Sequence, residues 1–198
     1  MSTALLLSGG MDSIAIAFWK RPDLAFTVDY GQLSADGEIQ AAEAVCKSLD
    51  IQHEIITVDC RGLGSGDLSG KLAASVAPAT EWWPFRNQLL LTLVGMRAVS
   101  LEVRTLLFGT VKSDAFHADG TAAFFERIDE LFSIQEGALR VEAPAINLTT
   151  AELVTLAAVP RSLLSWAHSC HVSNFACGGC RGCHKYEAVM EELNYEQN

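Results

Sequence analysis

The run Ser8-Gly9-Gly10-Met11-Asp12-Ser13 joins residue types that together bind an oxyanion. Two adjacent glycines remove side chains where an anion must approach the backbone. Ser8 and Ser13 add hydroxyls, and a helix starting here offers unpaired N–H groups and the positive end of its dipole. The chemistry this implies is a cradle for phosphate or pyrophosphate, running from Leu7 through Ser13. The loop lacks the lysine of a Walker sequence, so GTPase or kinase chemistry does not follow. Asp12 reads either as a magnesium-linked carboxylate or as a helix cap.

The second group able to do chemistry is Cys170, Cys177, Cys180 and Cys183, spaced C-x6-C-x2-C-x2-C. Four thiolates are the number and type that tetrahedral zinc takes, and a closed set of four indicates a structural ion rather than one with a position open for water. Gly178, Gly179 and Gly182 permit the tight turns of a knuckle. His168, His171 and His184 stand near enough in sequence to replace one cysteine, and a [4Fe–4S] cluster would use the same four thiolates. Cys46 and Cys60 lie on apolar-patterned segments and read as core residues.

Alternating elements must position these groups. Strand patterns run over Thr3–Leu7, Leu24–Tyr30, His53–Cys60, Arg104–Gly109 and Arg140–Glu142. Helical patterns occupy Ile14–Trp19, residues 35–49, Asn87–Ser100 and Thr121–Gln135. Thr149-Thr-Ala-Glu152 predicts a capping box that opens a helix ending before Pro160, and Glu187–Leu193 a short closing helix. The order predicts an α/β fold with a Rossmann-like parallel sheet over residues 1–160 and a small zinc-binding segment, 161–198, packed on it. Residues 61–80, with Gly62, Gly64, Gly66 and Gly70, read as a long loop, either a lid or a surface insertion.

Composition sets the class. The 198 residues suit one domain, and a hydrophobic content of 49% supplies a sizeable core. A net charge of −10 weighs against nonspecific nucleic-acid binding. The apolar run before Ser8 is too short for a signal peptide, and no run approaches the ~20 residues that span a bilayer. The expectation is a cytoplasmic protein that is not membrane-bound, and four clustered cysteines in that setting favour metal over disulfides.

The hexapeptide resembles the pyrophosphate loop of the ATP-pyrophosphatase superfamily, the adenine nucleotide alpha hydrolase-like fold. Added in order are Asp29-Tyr-Gly-Gln32, Pro84-Phe-Arg-Asn87, Ala143-Pro-Ala145 and Ser169-Cys170 with Cys177-Gly-Gly-Cys-Arg-Gly-Cys183. This set resembles the 7-cyano-7-deazaguanine synthase family of queuosine biosynthesis across nearly the whole chain. The resemblance implies a ligase that adenylates 7-carboxy-7-deazaguanine with ATP and Mg2+, lets ammonia displace AMP, and dehydrates the amide to the nitrile. It places ATP on Leu7, Ser8, Gly9, Gly10, Met11, Asp12, Ser13, Tyr30 and Gln32, with Asp12, Ser13 and Arg86 at the chemistry. Substrate falls to Arg86, Asn87, Gly109, Lys112 and Asp114. Arg86 and Asn87 also read as a plain helix start after Pro84, and Lys112 as a solvated loop lysine.

Several positions depart from the family pattern. Leu33-Ser-Ala35 follows Gln32 where a basic residue or His is usual, while Glu38 fits a later Glu. Gly109 and Asp114 are kept, but the intervening Asn is Val111, a downstream Cys-Arg is missing, and the usual Ser-Lys is Thr149-Thr150. These changes cluster where substrate binds rather than where ATP is held. They suit a relative in bacterial antiviral defence that passes the activated deazaguanine to an amine on a partner protein. Two other readings stand beside this one: tRNA thiolation or lysidine formation, disfavoured by the acidic balance, and a catalytically silent nucleotide-binding subunit of a defence complex. A homodimer is the expected assembly.

Overall fold

The computed structural model describes residues 2–193. Its strands are β1 (Thr3–Leu6), β2 (Leu24–Asp29), β3 (Gln52–Thr57), β4 (Thr105–Phe108) and β5 (Arg140–Glu142). They form one parallel sheet in the order β3-β2-β1-β4-β5, with Ala4 opposite Leu24 on one side and Leu106 on the other. The helices are α1 (Met11–Lys20), α2 (Ala35–Leu49), α3 (Arg86–Ser100), α4 (Ala122–Ser133), α5 (Thr150–Ala157), α6 (Arg161–Leu164) and α7 (Arg181–Glu192).

Strand alternation divides the core in two. Leu5, Leu7, Ala25 and Leu107 face one way and pack with Ile14, Val45 and Val154 from α1, α2 and α5. Ala4, Leu6, Phe26, Leu106 and Phe108 face the other, against Leu91 and Val94 of α3 and Phe125 and Ile128 of α4. A sheet covered on both faces explains why its strands read as near-continuous apolar runs. Leu163, Leu164 and Val189, from the expected C-terminal segment, join the first cluster, so this segment shares the core of α1 and α5.

Boundaries shift where side chains or turns act as caps. Helix α1 starts at Met11, inside the glycine loop, three residues before the apolar periodicity begins. Strand β3 stops at Thr57 and the chain turns across the sheet end, with Cys60 N–H donating to the Tyr30 carbonyl. Helix α7 starts six residues before the expected Glu187, because the Cys180 thiol accepts from the Cys183 N–H as an N-cap. The capping box forms as expected: Thr149 Oγ1 accepts from Glu152 N–H at 3.1 Å and Glu152 Oε2 from Thr149 N–H at 2.8 Å. Residues 61–80 hold two 3-10 turns, Arg61–Leu63 and Asp67–Ser69.

Candidate active site and metal centre

The sheet order reverses between β1 and β4, and there the carboxyl ends of two adjacent strands leave a crevice. A cleft of about 530 Å³ opens at this point. Gly9 has φ +74°, and a Cβ on it would stand 2.7 Å from the Glu38 carbonyl oxygen, so only glycine makes this turn without strain. Gly10 caps α1 in an extended conformation without any side-chain cap, which leaves the first-turn N–H groups for a ligand. Ser13 Oγ donates to the Gly10 carbonyl at 3.0 Å and stands 3.3 Å from Ser8 Oγ. Gly109, just past β4, packs so closely that its Cβ would lie 3.0 Å from Ser13 Cα.

A carboxylate–ammonium cluster stands beside this turn. Lys185 Nζ of α7 donates to Asp12 Oδ2 at 2.9 Å and lies 3.6 Å from Asp114 Oδ1. Asp114 is itself fixed, its Oδ2 accepting from Val111 N–H at 3.0 Å and from the Thr110 hydroxyl at 3.3 Å. Burial raises the Asp12 carboxyl above its usual range, against the opposing pull of Lys185 and Thr150. Burial would lower the Lys185 ammonium, but the charges of Asp12 and Asp114 outweigh it and raise it. Asp12 Oδ1 is buried without a well-formed hydrogen bond among the described residues, with Thr150 beside the carboxylate.

The opposite wall comes from β2, α2 and the start of α3. Tyr30, Glu38, Arg86 and Asn87 line it over an apolar floor that includes Leu6, Val28 and Phe108. Phe85, with φ +55°, holds a left-handed conformation unusual for a side chain of its size and sets the entry into Arg86. Burial raises the Tyr30 hydroxyl far above its usual range, partly offset by Arg86. It also pushes the Glu38 carboxyl up to about 7, against hydrogen bonds from Ser34 and Gln32. Asn87 is anchored to the 3-10 turn Ala118–Gly120, its Nδ2 donating to the Asp119 carbonyl at 2.8 Å.

At the lip, buried Glu81 gathers three segments. Its Oε1 accepts from Arg181 and lies 3.3 Å from His117 Nε2. The Arg181 guanidinium stands 5.1 Å from the Phe116 ring centre. Arg181, His117 and Glu81 together tie the 61–85 loop and the segment after β4 to α7.

The four cysteine Sγ atoms lie within 4.8 Å of one another, with pairs at 3.6, 3.9 and 4.0 Å. Four thiolates ~2.3 Å from one tetrahedral zinc are about 3.8 Å apart, so the set fits a single ion. A disulfide would need sulfurs ~2.05 Å apart, and a [4Fe–4S] cube would spread its thiolates more widely. The knuckle is pinned to the glycine loop: His168 N–H donates to the Gly9 carbonyl at 2.9 Å. Asn174 Nδ2 donates to Asp36 Oδ2, and its Oδ1 accepts from Gly37 N–H at 3.2 Å. Gly182 admits α7 against this segment, since its Cβ would sit 1.8 Å from the Ser169 carbonyl oxygen.

Of the residues expected from sequence, Ser8, Gly10, Met11, Asp12, Ser13, Tyr30, Arg86, Asn87, Gly109 and Asp114 line the cleft. Three further expected residues lie outside the lining or are engaged elsewhere in the fold. Leu7 is fully buried in the core, with its carbonyl accepting from the Thr27 hydroxyl. Gln32 is spent within its turn: Oε1 accepts from Tyr30 N–H, and Nε2 donates to the Val28 carbonyl and Glu38. Lys112 has an exposed side chain on the 3-10 turn Lys112–Phe116 and lies outside the cleft lining. Gly9 shapes the loop from behind. Thr150, one of the departures from the family pattern, lines the cleft, as do Lys185, Glu81, His117 and Arg181, which the sequence does not single out. The only sequence signal for Arg181 and Lys185 is their place within and just after the cysteine knuckle.

A family model described as "Queuosine biosynthesis protein QueC" matches residues 2–194. The 7-cyano-7-deazaguanine synthase of Desulforudis audaxviator is 30% identical over 213 residues, covering 94% of this chain and 95% of that protein. The enzyme of the same name from Methanosarcina barkeri is 29% identical over 210 residues, covering 92% and 90%. Among solved structures, the U34-tRNA thiolase NcsA from Methanococcus maripaludis, described with its [4Fe-4S] cluster, superposes with a TM-score of 0.54. It is 17% identical, the match covering all of this chain and 66% of that one, a likeness of fold.

Proposed function

The chain belongs to the QueC family of queuosine biosynthesis, and from that premise we propose that it uses ATP to adenylate a 7-deazaguanine carboxylate and delivers the acyl group to an amine. The observation that carries this reading is the uncapped first turn of α1 at the sheet's switch point, with Asp12, Asp114 and Lys185 beside it. A carboxylate oxygen attacks the α-phosphorus, the α–β anhydride bond breaks, and pyrophosphate leaves. The amine then attacks the acyl carbon and loses a proton, and AMP departs with the former carboxylate oxygen. With ammonia the product is the amide, and a second ATP converts its oxygen to the same leaving group on the way to the nitrile.

Each part of the cleft has work in this scheme. The Ser8–Ser13 turn and α1 dipole receive the departing pyrophosphate. Asp12 is the residue that would hold a Mg2+ ion, which would supply Lewis-acid chemistry to the phosphates. Arg86 and Asn87 stand over the apolar floor, where a planar heterocycle and its carboxylate would lie. The four thiolates would hold Zn2+ as a closed structural ion, and their role is to set the start of α7.

A second reading keeps the chemistry and changes the acceptor to an amine on a partner protein of an antiviral defence system. It is favoured by Val111, buried where the family has Asn, and by exposed Phe116 at the cleft's lip. Incubation with ATP and 7-carboxy-7-deazaguanine tests both. AMP and pyrophosphate released in step with amide or nitrile when ammonia is added support nitrile synthesis. Adenylate formation that ammonia does not discharge points to a protein acceptor. ADP and phosphate, or no turnover, would sink the proposal.

A further inference from the structure

Among the described residues Lys185 is the one lysine lining the cleft, and the only other Lys or Arg side chains there are Arg86 and Arg181. Arg181 is committed to Glu81, whose side chain is 8% exposed, and Arg86 stands on the Tyr30 wall. The glycine loop supplies N–H groups and hydroxyls but no cation, and it carries Asp12 in its first helical turn. Asp12 and Asp114 would together repel a polyphosphate unless a positive charge stood between them. An ammonium has three donors; one goes to Asp12 Oδ2, a second points to Asp114 Oδ1 at the longer 3.6 Å, and the third has no partner assigned by this cluster. The side chain is 37% exposed and lines the cleft.

We infer that Lys185 is a phosphate-binding residue: Asp12 and Asp114 hold its ammonium beside the loop, and a phosphate of the nucleotide takes the remaining donor. This rests on the reading of the loop as an ATP site. It also gives the cysteine knuckle a functional purpose. Lys185 lies two residues beyond Cys183 on α7, whose N-cap is Cys180, so the thiolate set positions the cation. The cation comes from α7 to a loop that carries no lysine of its own.

Amine-reactive footprinting of the unaltered, metal-loaded protein tests this without a variant. Saturating inorganic pyrophosphate should slow labelling of Lys185 at least ~10-fold, as expected for an ammonium engaged in a charge-assisted bond, and adenosine should leave it unchanged. Calorimetric titration of Lys185→Gln supplies the second arm. Affinity for pyrophosphate and ATP should fall ~10–100-fold, while adenosine affinity and metal content stay at the unaltered level. Labelling of Lys185 that ignores pyrophosphate would overturn the inference, as would a variant that loses adenosine and pyrophosphate binding equally. An unaltered protein that binds neither pyrophosphate nor ATP would overturn both this and the reading it rests on.

Discussion

Asp12 and Lys185 are 173 positions apart in the chain and 2.9 Å apart in space. That contact shows which part of the site can be read from residue types alone. Ser8 to Ser13 are contiguous, so their spacing announces an anion site. Lys185 carries no such signal, because it lies before the expected closing helix and nothing in its neighbours' spacing ties it to the loop until the fold brings α7 to α1. Gln32 and Lys112 show the converse: polar residues beside a recognisable stretch, one satisfied inside its own turn and the other outside the cleft. Glu38 offers a test at this scale. Its carboxyl is raised from 4.5 to about 7, so the folded state binds a proton that the unfolded state has released between those values. Its contribution to stability is full below about pH 4.5 and is lost as pH rises through about 7. Glu38→Gln should therefore gain on the parent by on the order of 1–3 kcal/mol between pH 5 and pH 8, measured by denaturant melts. A difference that does not change with pH would show that Glu38 folds already ionised.

The strands were legible because a sheet buried on both faces demands unbroken apolar runs, as in Leu5-Leu-Leu7 and Leu106-Leu-Phe108. Helix starts were less so. Helix α1 begins on Met11-Asp-Ser, which read as loop, and α7 begins on a cysteine cap that no apolar periodicity marks. The fit of α7 turns on one glycine. A methyl group on Gly182 would overlap the Ser169 carbonyl oxygen, which stands 1.8 Å from the required Cβ. Gly182→Ala should cost ~1–3 kcal/mol or more, as overpacking of rigid backbone does, and should lower the metal-to-protein ratio. Elemental analysis with thermal melting checks this. Full metal occupancy and an unchanged midpoint would mean that α7 is not held against residues 169–171.

For the molecule as a whole, the parallel order β3-β2-β1-β4-β5 puts the glycine turn, the segment after β4 and the cysteine knuckle around one opening. The knuckle is joined to the rest through Leu163, Leu164 and Val189 in the core and through His168 and Asn174 on the loop and α2. Among the described residues no helix is long and apolar enough to cross a membrane. Removal of the metal by a chelator should expose residues 161–193 to hydrogen exchange while β1, β2 and β4 stay protected, because the sheet's two clusters draw mainly on the other helices. Uniform loss of protection would mean that the ion supports the entire fold. The central claim is that a carboxylate is activated on the α-phosphorus of ATP at the turn Ser8–Ser13. It is tested most directly by supplying 7-carboxy-7-deazaguanine labelled with 18O in the carboxylate and weighing the AMP released when the amine is present. The account predicts one 18O in the AMP formed in the first activation and none in pyrophosphate. AMP free of label, with the isotope in inorganic phosphate instead, would contradict it.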